Sequence, residues 1–160
     1  MAMDFYLKLE GIEGESEDDK HAGEIDVESW SWGETQSGTS GAGGGGGAGK
    51  VSMQDFHFVM KVNKASPKLM LACATGEHIK SAKLTCRKAG GEQQQYMTWT
   101  FYDVLVSSYQ TSGSTGDTVP VDQCSLNFAK VEFEYKQQKP DGSLGSPVKV
   151  GYDLKKNVKV

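Results

Sequence analysis

Three groups of residues in this chain have types and spacings that could carry chemistry. The first is the run Gly41, Ala42, Gly43, Gly44, Gly45, Gly46, Gly47, Ala48, Gly49, followed by Lys50. Gly44, four residues, Gly49 and Lys50 nearly spell a phosphate-binding loop, in which backbone amides cradle the phosphates and the lysine reaches them. That motif needs Ser or Thr after the lysine to ligand magnesium, but Val51 stands there and Ser52 comes one place late. The loop should also open a helix whose first amides hold the anion. Residues 51–62 are instead β-branched and aromatic and read as a strand. The preceding residues 35–41 are polar, not a buried parallel strand. The glycine run therefore reads as a connection between two strands. Ordering it would cost roughly 1–2 kcal/mol per residue with almost no side chain to bury in return.

The second group is the metal and thiol residues. His21, His57 and His78 each lie more than four residues from any other histidine or cysteine, so no local ligand spacing is present. Cys73, Cys86 and Cys124 are odd in number and widely spaced, and they read as buried, reduced thiols. The third group is nucleophiles and carboxylates. No Gly-x-Ser-x-Gly elbow occurs. Glu132 and Glu134 lie two apart on a strand and read as solvated or inter-subunit charges. The acidic stretch Glu13, Glu15, Glu17, Asp18, Asp19 lacks calcium-loop spacing and reads as solvated surface. Trp30, Trp32 and Trp99 could form a sugar-binding face, but tryptophans at strand spacing read first as core. No catalytic, cofactor-binding or metal-ligating residue is expected.

Length and composition narrow the class. The 160 residues suit one domain over 1–160, and the net charge of −4 with scattered lysines excludes a phosphate-tracking nucleic-acid binder. Residues 1–10 do not read as a signal peptide, and no stretch approaches the ~20 apolar residues of a membrane span. The expectation is a protein that folds in the cytoplasm without inserting in a membrane. If it leaves the cell, it uses a route that does not read an N-terminal signal.

The elements that must position these residues are nearly all strands. Phe5, Leu7 and Leu9 alternate with Tyr6 and Lys8 in a first strand. A second strand covers 24–33, with Ile25 and Val27 on one parity and Trp30 and Trp32 on the other. A third covers 51–62 and changes parity between Met53 and Phe56. Such changes need a bulge or a covered second face. The segment 66–76 reads as a short helix, with Ser66 as cap, Pro67 in the first turn, Gly76 as stop, and Leu69, Met70 and Cys73 as its apolar face. Further strands cover 79–88, 94–110, 121–136 and 148–154. In the second of these, Met97, Trp99 and Phe101 give way to Val104 and Val106 on the other parity. More than half of the chain reads as β, against the usual ~20–25%. The class is mainly β, an antiparallel barrel or sandwich with one helix.

Several motifs then resemble a known family. Gly14-Glu-Ser, His21 and Glu24-Ile-Asp-Val-Glu-Ser-Trp-Ser-Trp-Gly are similar to the N-terminal signature of the Hcp family, the haemolysin-coregulated proteins of bacterial type VI secretion. Ser66-Pro-Lys-Leu-Met, Val104-Leu-Val-Ser-Ser-Tyr-Gln, Ser125-Leu-Asn-Phe-Ala-Lys-Val with Tyr135, and Gly151-Tyr-Asp-Leu with Asn157 continue the match in order. Tyr152 stands where the family often has Trp, and the glycine-rich loop is shared with only part of the family. The resemblance implies a small antiparallel β-barrel of two sheets with one short flanking helix. It implies a homohexameric ring, stacking of rings into a tube inside a contractile sheath, a spike protein at the tip, and export on contraction. It also implies small effector proteins carried in the ring lumen. On this reading Ser29 and Ser31 line the lumen, and the loop 35–50 docks on the next ring. The alternatives are a monomeric β-sandwich carbohydrate-binding module and an unrecognised hydrolase.

Overall fold

The computed structural model describes residues 3–37, 50–88 and 94–160. Its strands are β1 (Met3–Leu9), β2 (Ile25–Val27), β3 (Ser29–Ser31), β4 (Glu34–Gln36), β5 (Val51–Met53) and β6 (Phe56–Lys61). After the helix α1 (Ser66–Thr75) come β7 (His78–Lys88), β8 (Gln95–Ser112), β9 (Val121–Asn127), β10 (Lys130–Gln138), β11 (Leu144–Asp153) and β12 (Val158–Lys159). All described ladders are antiparallel. One path runs β12-β11-β10-β8-β7-β1-β2, and a branch from β8 runs through β9 and β6 to β3.

Each change of parity in the sequence marks a break in a strand or a local turning-over of its faces. Residues 24–33 form not one strand but β2 and β3, separated at Glu28, whose amide donates to the Val59 carbonyl at 2.8 Å. β2 pairs with β1, whereas β3 pairs with β6. Residues 51–62 split at Gln54 and Asp55 in the same way, with β5 pairing β4 and β6 pairing β3 and β9. Residues 121–136 are also two strands, because at the break the Ala129 amide donates to the Tyr102 carbonyl at 3.0 Å.

β8 remains one strand but turns its faces over at Asp103, whose φ of 54° is left-handed. An aspartate tolerates that conformation better than a bulky residue does. Its carboxylate is also held there, accepting from Lys155 Nζ at 2.7 Å and meeting His78 Nδ1 at 2.9 Å. Those two contacts hold the Asp103 carboxyl below its ordinary pKa. The first half of β8 thus pairs with β7 and β10, and the second half with β9.

The core gathers the inward rows. Leu7, Ile25, Phe56, Met60, Leu84, Phe101, Val104 and Leu126 are fully buried. Phe56 and Phe101 rings pack with centroids 4.9 Å apart, and Phe101 and Phe128 at 4.7 Å. Each such side chain contributes about 1.5–3 kcal/mol by burial. Cys86 and Cys124 lie in this core, where desolvation pushes both thiols up to about 12. They are therefore protonated and inert at neutral pH.

The helix differs from expectation at its start. Ala65 is the cap residue, and Ser66 is already helical and makes no cap bond. Its hydroxyl donates instead to Asp122 Oδ2 at 2.6 Å, and Asp122 also accepts from Tyr109 Oη at 3.1 Å. Satisfying a buried carboxylate outweighs a cap that the Ser66 hydroxyl would otherwise make. The stop is as expected, with Gly76 left-handed at φ 70° and its amide bonded to the Ala72 carbonyl. The buried face is Leu69 and Ala72 with Cys73 half-buried. Met70, expected inside, is 54% exposed.

Candidate functional site

Two constructions stand out on the surfaces of the sheets. The first is the outer side of β3, β6, β9 and the second half of β8. Side chains alternate along a strand, so burying Trp30 turns Ser29 and Ser31 outward, and both are exposed. The ladders extend each serine into a row across four strands. Ser31 lies beside His57, His57 beside Ser125, and Ser125 beside Ser108. Ser29 lies beside Val59, Val59 beside Gln123, and Gln123 beside Gln110. Residues of both rows line one shallow groove. Val59 is the single apolar side chain in the two rows, and neither row contains a carboxylate, lysine or arginine.

The edge of this face is braced. Ser107 Oγ donates to Asp55 Oδ2 at 2.6 Å and meets Ser125 Oγ at 2.8 Å, while Asn127 Nδ2 donates to Asp55 Oδ1 at 3.0 Å. No histidine joins the Ser107–Asp55 pair to activate the hydroxyl among the described residues. Nor does any group of three or more His, Cys, Asp or Glu there have the geometry to hold a metal ion. What the face offers is hydroxyl, amide and imidazole groups, whose individual hydrogen bonds are modest and replaceable.

The second construction folds the acidic N-terminal segment over the sheet. Gly14 and Ser16 donate their amides to the Gly23 and Glu24 carbonyls at 2.8 and 2.9 Å. The backbones run so close that a Cβ on Gly14 would meet the Glu24 carbonyl oxygen at 2.5 Å. Ser16 Oγ accepts from the Asp18 amide, and Glu15 Oε2 accepts from the Lys64 amide. His21 stacks on Tyr6 with ring centroids 4.4 Å apart. Its Nδ1–H donates to Glu24 Oε2 at 2.9 Å, an assignment that leaves Nε2 to accept from Gln95 Nε2 at 2.9 Å.

Beneath lies Arg87, only 2% exposed. Its guanidinium binds both carboxylate oxygens of Asp18, each at 2.9 Å, and also reaches Asp4 and Tyr6 Oη. The Arg87 bond holds the Asp18 carboxyl down at about 2, and the arginine in turn is raised. The acidic stretch was expected to be solvated surface, and for Asp18 that is wrong. It is drawn down because a buried guanidinium needs an anion.

Sequence reasoning missed Arg87 because Ala82, Leu84 and Cys86 mark the other face of β7 as the core. Thr85 and Arg87 are buried too, since residues 11–24 cover their side. The Gly-Glu-Ser and His signals were visible, but their role as a clasp was not. The glycine run is expected to dock on another ring, and residues 41–49 lie outside the described residues. The flanks are described. Gln36 pairs with Val51, Thr35 with Ser52 and Glu34 with Met53, and Lys50 is exposed. The tryptophans do not form a flat platform. Trp30 and Trp32 lie 6.4 and 5.2 Å from Trp99, centroid to centroid, and all three are half-buried against the core.

Comparison with known proteins agrees with this architecture. A family model described as type VI secretion system effector, Hcp, matches residues 6–135. The protein hcp1 of Pseudomonas aeruginosa is 54% identical over 160 residues, covering 99% of both chains. A crystal structure of Hcp1 from Salmonella typhimurium superposes with a TM-score of 0.82 at 36% identity, covering 100% of both chains. Another solved structure, described as a type six secretion system protein, gives 0.93 at 32% identity, covering 99% of this chain and 100% of that one. Fold and relatives together define a secreted, β-rich component of the type VI secretion machinery. The chain belongs to the Hcp family, whose members are structural tube proteins that assemble into rings, and it is not an enzyme.

Proposed function

We propose that six copies of this chain, each a single domain over 1–160, close into a ring with a wide channel. The rings stack into the inner tube of a contractile sheath, beneath a spike protein. The protein folds in the bacterial cytoplasm and is exported to the medium or a target cell on contraction. Small effector proteins ride in the lumen. Each subunit is a small barrel of two sheets, a reading supported by β2 running directly into β3, although β2 ends the main strand path and β3 ends the branch that leaves it at β8.

The observation that carries the reading is the polar face built on Ser29 and Ser31 and extended by His57, Gln123 and Gln110. A surface of hydroxyl, amide and imidazole groups without carboxylate, lysine or arginine in its rows suits a channel wall that holds varied cargo and releases it. The loop 35–50, including Gly41 to Gly49 and Lys50, projects from the ring and docks on its neighbour in the stack. Negative-stain electron microscopy of the purified protein, with light scattering for mass, tests the assembly. Rings with a central hole are expected, and a uniform monomer at all concentrations overturns the proposal.

A further inference from the structure

The inward side of the main sheet does not end where the core ends. Across β7, β8, β10 and β11, one row reads Leu84, Trp99, Phe133, Val150, and the next reads Cys86, Met97, Tyr135, Val148. Leu84 and Cys86 are fully buried, Trp99, Phe133 and Met97 half-buried, and Tyr135, Val150 and Val148 are 41, 62 and 68% exposed. Trp99 and Phe133 stack in parallel with centroids 3.9 Å apart, so the apolar surface is continuous from core to solvent. The opposite side of β10 carries the charges, including Glu132 paired with Lys149. The sheet is thus amphipathic in the ordinary sense, but its apolar side outruns its cover.

A second apolar patch is formed by Met70 and Leu71, 54 and 56% exposed on α1. The two patches lie at opposite ends of the polar four-strand face. The overhang is at the β3 end, where Trp32, just after β3, packs on Trp99 and Phe128. The helix lies at the β8 end, packed on β8 and joined through Ser66 to Asp122, which also binds Tyr109. A closed ring is built from heterologous contacts, in which one patch meets a different patch on the next copy. Two apolar patches at opposite ends of one face meet that requirement, and neither needs to meet itself.

We propose that Met70 and Leu71 of one copy seat on the Tyr135, Val148 and Val150 overhang of the next. This rests on the ring reading and adds the residues that close the ring. The test uses the full chain with Leu71→Asp, Val150→Lys and the double variant, each followed by light scattering, electron microscopy and thermal unfolding. Both positions are exposed, so the single variants are expected to stay folded and fall from ring to monomer mass. The double variant, with a carboxylate facing an ammonium, should recover rings. Met70→Asp and Val148→Lys repeat the test should either single variant misfold. Single variants that form rings as the unmodified chain does overturn the inference while leaving the ring reading intact. Single variants that break rings without rescue in the double variant overturn the pairing of these two patches. A unmodified chain that never forms rings removes the ring reading itself.

Discussion

Arg87 and Asp18, 69 residues apart in sequence, meet in a two-point ion pair with both nitrogen–oxygen distances at 2.9 Å. The arginine is almost wholly enclosed, and the aspartate retains 19% side-chain exposure. The pair fastens the acidic segment 11–24 across β1 and β7. Replacing Arg87 with Met should leave Asp18 and Asp4 without their cation and loosen that segment. A loss of about 3 kcal/mol is expected, near the lower bound for breaking a buried pair because the acids are partly hydrated. Urea unfolding followed by tryptophan fluorescence measures it.

The same pair sets an acid limit. The folded-state value of Asp18 is depressed from 3.8 to about 2, chiefly by the Arg87 hydrogen bond. Its contribution is therefore complete above the unfolded value and is lost as pH falls from about 4 to about 2. Arg87 stays charged throughout that window. The unmodified protein should lose stability over it more steeply than Asp18→Asn, and unfolding midpoints at pH 5, 3.5 and 2.5 make the comparison.

Gly14 stands where two backbones touch, with no room for a methyl group beside the Glu24 carbonyl. Gly14→Ala should force the two segments of the clasp apart and cost about 1–3 kcal/mol. Faster amide exchange at Ser16 and Gly23, whose amides close this clasp, should accompany the loss. Unchanged exchange there would separate Gly14 from the clasp.

Ser31→Trp tests the polar face as a channel wall. Ser31 is exposed and its row neighbour is His57, so an indole is tolerated by the fold. Rings should persist while co-purification of a lumen-borne effector falls. Intact rings with undiminished cargo would place the cargo surface elsewhere.

Deletion of residues 41–49 leaves the pairing of Glu34–Gln36 with Val51–Met53 available. The shortened protein is expected to form single rings normally but to stack poorly and be exported less. Tube length by electron microscopy and protein in the culture medium report the two effects. Normal tubes would reduce the loop to a spacer.

The amino-acid sequence alone determined the strand content, the single helix with its glycine stop, and the places where strands must break or turn over. Those are local matters, because alternation follows from strand geometry and a buried face cannot change parity without a distortion. The changes near Glu28, Gln54 and Asp103 were legible as parity shifts, whereas the break at Ala129 lies inside what reads as one strand over 121–136. The outward placement of Ser29 and Ser31 followed from the same rule once Trp30 was assigned inward.

Only the tertiary structure decided what each face meets. It set Ser31 in line with His57, Ser125 and Ser108, and it turned Asp18 from a surface charge into the counter-ion of Arg87. It gave Ser66 to Asp122 instead of to a helix cap, and it left Val148 and Val150 uncovered. These outcomes depend on pairings between residues tens of positions apart. A periodic pattern records that a side chain is turned to one side of its strand, but not which distant segment lies across from it.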